Sequence, residues 1–188
     1  LQNMLKGDRF DYIYIATHKD YLAYMKEMVQ KYTDKPEKVR IIEGGKERMD
    51  SIHNVTDAIL KDEGVHEDDV IVIHDAVRPL VTEKILNDSI DAAGTYGACV
   101  CGVPAVDTML YSEDGKVVTT IPERSKLFNG QAPDSFSLPR FLEMQANLTE
   151  EQREVITGTS QICTMNNQPI YIIAVSYTHL RAHETLSD

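Results

Sequence analysis

Four polar clusters in this chain follow or adjoin apolar runs, and their residue types suit the binding of a phosphorylated ligand. In "VIVIHDAVRP", the β-branched run Val70 to Ile73 leads straight into His74 and Asp75, with Arg78 shortly beyond. A carboxylate there can hold a metal ion or a sugar hydroxyl, and a guanidinium can clamp a phosphate through its planar fork. An Asp–Arg pair that only braces the loop is the alternative. "EGGKERMDS" supplies Gly44 and Gly45, which let backbone approach a ligand closely, and Ser51 near a helix N-terminus. Free N–H groups at such a terminus suit an anion or a polar nucleobase edge. A tight turn with a capped helix explains that cluster equally. "VPAVDT" adds Asp107 and Thr108, and "IPERSKLFNGQAPDSF" carries Arg124 and Lys126, which solvated charges on a surface arm would also explain. The joint pattern favours a site.

The elements that must position these clusters alternate strand and helix. "FDYIYIAT" is predicted as a strand, after which Tyr21, Tyr24, Met25, Met28 and Tyr32 recur at helical spacing. "KVRIIEGG" makes a second strand, and Met49, Ile52, Val55 and Ile59 mark the inner stripe of a helix from Arg48. "VIVIHDA" is a third strand, Ile85, Leu86, Ile90 and Ala93 mark the next helix, and "GACVCGV" is a fourth strand. The unbroken apolar run "VIVI" fits a strand buried on both faces. This rhythm predicts an open α/β sheet with right-handed crossovers. Ligands of such sheets collect beyond the carboxyl ends of the strands. After Pro104 the rhythm breaks, and a "DG" turn between short β-like runs predicts a hairpin or arm around residues 107–131. Helical stretches follow around "LPRFLEMQANL" and "TEEQREVITGTSQIC", the second opening on Thr149, Glu150 and Glu151 like a capped helix start. "PIYIIAV" is the last strand.

A length of 188 residues predicts one domain, over residues 1–175. Its 42% hydrophobic and 26% charged residues are ordinary for a globular protein and sufficient for a core. No apolar run approaches the ~20 residues needed to span a bilayer. The opening residues lack the pattern of a secretory signal, so a cytoplasmic protein without membrane partners is expected. A net charge of −11 argues against nucleic acid as partner but leaves room for a small phosphorylated substrate held by a few local cations. Cys99, Cys101 and Cys163 lack metal-type spacing and read as core thiols of a reducing compartment. Residues 176–188 show no periodicity and resemble translated sequencing adaptor, so a non-native tail is expected there. His179 and His183, four apart within it, are spaced as a helical metal pair, but a meaningless tail is the preferred reading.

In order, "GGKERMDSI", "HDAVRP", "VPAVDT", "IPERSKLFNGQAPDSF" and "VITGTSQIC" resemble the cytidylyltransferases that activate sugar-alcohol phosphates. The nearest members are methylerythritol phosphate cytidylyltransferase of isoprenoid synthesis and ribitol-5-phosphate cytidylyltransferase of teichoic-acid synthesis. The resemblance covers roughly residues 8 to 175, and "FNGQ" and "QICT" look closer to the ribitol type. It implies a Rossmann-like, three-layer α/β/α nucleotidyltransferase fold with a protruding arm that serves dimerisation. It also implies a magnesium-dependent transfer of CMP from CTP to a polyol phosphate, giving a CDP-polyol and pyrophosphate. Gly44, Gly45, Ser51 and Ala76 would form the nucleotide pocket, with Gly45 and Ser51 at the cytosine. Asp75 would sit at the metal and the polyol phosphate, with Arg78 beside it as the second catalytic residue. Thr108 and Thr157 would lie at the polyol, and Arg124 would reach from the arm into a partner subunit's site, making a homodimer.

Some positions depart from the family pattern. Gln131, Ala132, Pro133 and Asp134 stand where many members have Gln-Thr-Pro-Gln, and Gly158 replaces a common acid after Thr157. Nothing matches the family's opening glycine-rich loop or its late lysine-bearing segment. A fragment truncated at both ends, inactive by itself, is therefore expected. Two rival readings remain: a nucleotidyltransferase for another base or sugar phosphate, and a non-catalytic nucleotide- or polyol-phosphate-binding module. A dinucleotide oxidoreductase is disfavoured, since no G-x-G-x-x-G follows a strand.

Overall fold

The aliphatic runs of the first hundred residues become strands where their pattern places them. A computed structural model describes residues 1–175; the expected tail at 176–188, with His179 and His183, lies outside the described residues. In chain order the elements are α1 (Gln2–Leu5), β1 (Ile13–Thr17), α2 (Leu22–Tyr32), β2 (Val39–Glu43), α3 (Arg48–Asp62), β3 (Val70–Ile73) and α4 (Glu83–Tyr96). There follow β4 (Ala98–Pro104), β5 (Phe128–Ser137), α5 (Leu138–Ala146), α6 (Glu150–Val155), α7 (Ser160–Met165) and β6 (Tyr171–Ala174).

Strand pairing falls into two sets. β1 and β2 run parallel, from Ile13 opposite Val39 to Thr17 opposite Glu43. The other four lie in the order β3-β5-β4-β6, with β4 and β6 parallel and β5 antiparallel to both of its neighbours. Helices cover both faces of the larger sheet. On one, Phe136 of β5 and Phe141 of α5 stack at 4.8 Å between centroids, with Ile52, Ile71, Ile162 and Cys163 around them. On the other, Ala92 and Ala93 of α4 pack on Cys99, Val70 and Ile173. The fold is thus the expected three-layer α/β type. All three cysteines are buried, and desolvation pushes their thiols up, to about 11 for Cys99 and Cys163 and about 12 for Cys101. They are core groups rather than nucleophiles.

Three local details add to or change the sequence reading. The tyrosines of α2 face outward, since Tyr24 and Tyr32 are exposed, as is Tyr21 just before the helix, and Val29 is its buried residue. Leu22, Met25 and Val29 recur at the same spacing, and aliphatic side chains win the inner face from rings with a polar tip. The stretch from Thr149 forms two short helices, because the chain leaves helical geometry between Ile156 and Thr159. The first of them opens on a capping box in which Thr149 and Gln152 satisfy each other's backbone amides.

The third change is β5, a central strand whose Gly130, Pro133 and Asp134 all oppose a strand reading. Its register slips between Val100 and Cys101, which face Asp134 and Gln131, so Ala132 and Pro133 sit at an irregularity. A proline there removes no ladder hydrogen bond. Residues 128–131, expected in the arm, accordingly belong to the sheet. The arm is residues 105–127, closed at its base by a hydrogen bond from Ala105 N–H to the Leu127 carbonyl at 2.9 Å. Within it, Tyr111 and Thr120 pair antiparallel, and the Asp114 carboxylate accepts from the amides of Lys116 and Val117 at the "DG" turn. Among the described residues, no helix is long and apolar enough to cross a membrane.

Candidate active site

The carboxyl ends of β1, β2 and β3 lie together. The Gly44 amide donates to the Thr17 carbonyl at 2.8 Å, tying the end of β2 to the end of β1. The next amide, Gly45, donates to Ser51 Oγ at 3.0 Å, and that hydroxyl donates to the Glu47 carbonyl at 3.2 Å. Glu47 caps α3, and its own amide donates to Asp50 Oδ2 at 3.0 Å. The turn is so tight that a Cβ on Gly45 would fall 2.1 Å from the Asp50 Cβ, so only glycine fits. Ser51 therefore pins the glycine turn onto the helix N-terminus.

Arg48, the first residue of α3, points back across this turn and places Nη2 3.2 Å from Asp75 Oδ1. The other carboxylate oxygen lies 3.5 Å from Arg78 Nε. Arg78 is only 5% exposed, and its Nη1 donates to the side-chain carbonyl of Gln131 on β5. Two further contacts shape the loop. The Arg78 amide donates to the Asp75 carbonyl at 3.0 Å, and His74 Nε2 lies 2.9 Å from the Arg78 carbonyl. A carbonyl can only accept, so Nε2 carries the proton, and burial holds the imidazole below its ordinary range. Asp75 and Arg78 do pair, but Arg48 and Gln131 extend the pair into a chain spanning β2–α3, β3 and β5.

Asp134 lies on the same strand as Gln131, opposite Ile73. Its Oδ2 accepts from the hydroxyl of Thr159, a fully buried residue in the loop before α7. Desolvation raises its carboxyl, Thr159 and Arg48 draw it down, and the charge of Asp75 raises it again. Beside it, Gln161 Oε1 gathers the amides of Thr157 and Gly158, at 2.7 and 3.0 Å, and the Thr157 hydroxyl at 3.1 Å.

Not every residue named from sequence joins this group. Ala76 is exposed on the loop, and Thr157 is exposed above Thr159. Thr108 is exposed on the arm, and Arg124, also on the arm, donates to the Val106 carbonyl at 2.8 Å. Arg48, Gln131, Asp134, Thr159 and Gln161 enter as additional polar residues. Gln131 and Asp134 are marked in the sequence only as positions of the departure from Gln-Thr-Pro-Gln, and Arg48, Thr159 and Gln161 only as members of the matching motifs.

The family model for 2-C-methyl-D-erythritol 4-phosphate cytidylyltransferase matches residues 1–182. The chain belongs to this family. Solved structures show the same fold. The 4-diphosphocytidyl-2C-methyl-D-erythritol synthase of Anaerococcus prevotii superposes with a TM-score of 0.80 at 20% identity, over 95% of this chain and 76% of that one. The 2-C-methyl-D-erythritol 4-phosphate cytidylyltransferase of Francisella tularensis gives 0.76 at 20% identity, over 95% and 77%. That of Thermus thermophilus gives 0.63 at 20% identity, over 77% and 67%. As a cytidylyltransferase, this chain is a transferase that uses CTP, which sets aside the reading as a non-catalytic binding module. Family membership also gives chemical meaning to its strand-end charges. Nucleotidyl transfer builds negative charge on phosphate oxygens, and guanidinium groups held by fixed partners meet such charge without reorganising.

Proposed function

We propose that the enzyme transfers CMP from CTP to 2-C-methyl-D-erythritol 4-phosphate, releasing pyrophosphate and forming a CDP-polyol for isoprenoid synthesis. The reading is carried by one observation: the linked Arg48–Asp75–Arg78–Gln131 chain beside the Gly44–Gly45–Ser51 turn. In the reaction an oxygen of the acceptor's phosphate attacks the α-phosphorus of CTP, and the bond to the pyrophosphate oxygen breaks. Positioning and charge stabilisation dominate such a step. Arg78, held by Asp75 and Gln131, is suited to orient the acceptor's phosphate. The Gly45–Ser51 turn is suited to the cytosine edge, and Ala76 on the adjoining loop to the nucleotide. Ribitol 5-phosphate, and with it teichoic-acid synthesis, is the second reading, favoured by the "FNGQ" and "QICT" stretches.

Magnesium fits this site as a partner of the bound triphosphate. Among the described residues no three His, Cys, Asp or Glu side chains gather as a cage, and Asp75 offers a single hard carboxylate. Magnesium commonly takes one or two carboxylates together with substrate phosphates. Asp75 would hold it, and the ion would offset charge on the triphosphate.

The arm supplies the proposed subunit contact. Leu110, Val117 and Ile121 are 61%, 65% and 61% exposed on it, apolar area that a second copy would cover. Thr108 and Arg124 ride on the same segment and would complete the neighbour's polyol site.

Ser51→Ala tests the base reading. It removes one hydroxyl from the turn, and the expected cost is about 1 kcal/mol, roughly fivefold in the KM for CTP, with the KM for the acceptor unmoved. Steady-state kinetics with each substrate varied in turn would show this. An unchanged KM for CTP would take Ser51 out of base recognition.

A further inference from the structure

Asp134 is a charged side chain on the middle strand of a three-strand group, where a buried brace would ordinarily be apolar. Ile73 of β3 lies opposite it on one side and Val100 of β4 on the other. It therefore sits directly beneath the His74–Asp75 strand end. Its two oxygens differ. Oδ2 accepts from Thr159, whereas Oδ1 accepts no hydrogen bond among the described residues, and the residue as a whole is only half-buried. The carboxyl is thus anchored by one oxygen to the loop before α7 and leaves the other for a ligand, with the charges of Arg48 and Asp75 close enough to act on it.

The charges around it decide what that oxygen can meet. Phosphate belongs at the guanidinium groups of Arg48 and Arg78, and a carboxylate would repel it. An ionised carboxylate only accepts hydrogen bonds. The chemistry that suits Oδ1 is an O–H donor carried on a chain whose phosphate lies a few atoms away. Resting on the reading of the acceptor as a polyol phosphate, we propose that Asp134 is a specificity-determining residue that accepts a hydrogen bond from a hydroxyl of the acceptor's carbon chain. Thr159 acts as its positioning residue, fixing which oxygen faces the ligand, and Gln161 holds the loop that carries Thr159.

A simple brace between β5 and the loop makes a different forecast. Asp134→Asn keeps the size and the oxygen that Thr159 needs, so a brace would survive it. The charge that favours a hydroxyl donor would go. The experiment measures kcat and KM of wild type and Asp134→Asn with CTP and magnesium, using 2-C-methyl-D-erythritol 4-phosphate, ribitol 5-phosphate and deoxy analogues that each lack one hydroxyl. For the acceptor used, the variant is expected to raise the KM about tenfold, the scale of one hydrogen bond to a charged group. The KM for CTP should stay within about twofold. One deoxy analogue should be as poor for wild type as the parent acceptor is for the variant, and the variant should no longer distinguish the two. Thr159→Val should raise the acceptor KM in the same direction. Unchanged acceptor KM values in Asp134→Asn, or equal losses for CTP and acceptor with a lowered Tm, would overturn the assignment. A wild-type enzyme that uses neither polyol phosphate would instead remove the reading on which it rests.

Discussion

Replacing Arg78 by lysine is expected to lower kcat/KM for the polyol phosphate on the order of 10²-fold while moving Tm by only a few degrees. The guanidinium is buried and spans two fixed partners, Asp75 on its own loop and Gln131 on β5. Lysine keeps the charge, so Asp75 is not left facing an uncompensated site, and the stability lost should be near that of one hydrogen bond, about 1 kcal/mol. In a domain of this size that corresponds to roughly 2–4 °C. Its single ammonium cannot reproduce a planar fork held at both ends. A phosphate oriented by it would be misplaced, and displacement of about 1 Å from a productive geometry can cost on the order of 10²-fold. Kinetics with the acceptor varied, beside a thermal melt, separate the effects. Normal kinetics with a lowered Tm would make Arg78 a loop brace and nothing more.

An equal mixture of Arg124→Ala and Asp75→Asn chains, randomly re-paired, is expected to recover about a quarter of wild-type activity, although each variant alone should fall by on the order of 10²–10³-fold. The figure follows from two-fold symmetry. Half of randomly paired dimers are mixed, and in each of those one site has its own Asp75 and the neighbour's Arg124. The structure gives the idea its physical basis. Arg124 sits on the exposed arm, donating to the Val106 carbonyl, while Asp75 lies just beyond the end of β3. Activity measured after demonstrated subunit exchange checks it. Exchange without recovery would place Arg124 outside the neighbour's site.

Where hydrophobic period alone decides an element, the sequence is readable. The "VIVI" run, the Leu86–Ala93 stripe and the capped start at Thr149 all form as their patterns imply. β5 was not readable, because Gly130, Pro133 and Asp134 lower its local preference and only its neighbours Ile71, Val100 and the Phe136–Phe141 stack hold it as a strand. Tertiary context overrode propensity there. The same divide runs through the site. Asp75 and Arg78 stand out because charges after a buried strand are uncommon. Arg48 is 27 residues from Asp75, and Thr159 is 25 from Asp134, so neither partnership has a local signature. The tyrosines of α2 mark the limit of spacing alone, which places them on a helix without saying which face is buried, and their hydroxyls keep them in water.

The most direct measurement supplies the full-length enzyme with magnesium, 2-C-methyl-D-erythritol 4-phosphate and, in turn, CTP, UTP, ATP and GTP, and follows pyrophosphate and the nucleotide-linked polyol together. The account predicts equal amounts of both products with CTP, and a kcat/KM for CTP at least ~10-fold above that for each other nucleotide, as base-specific hydrogen bonding requires. Equal use of all four nucleotides, or pyrophosphate release without a CDP-polyol, would contradict it.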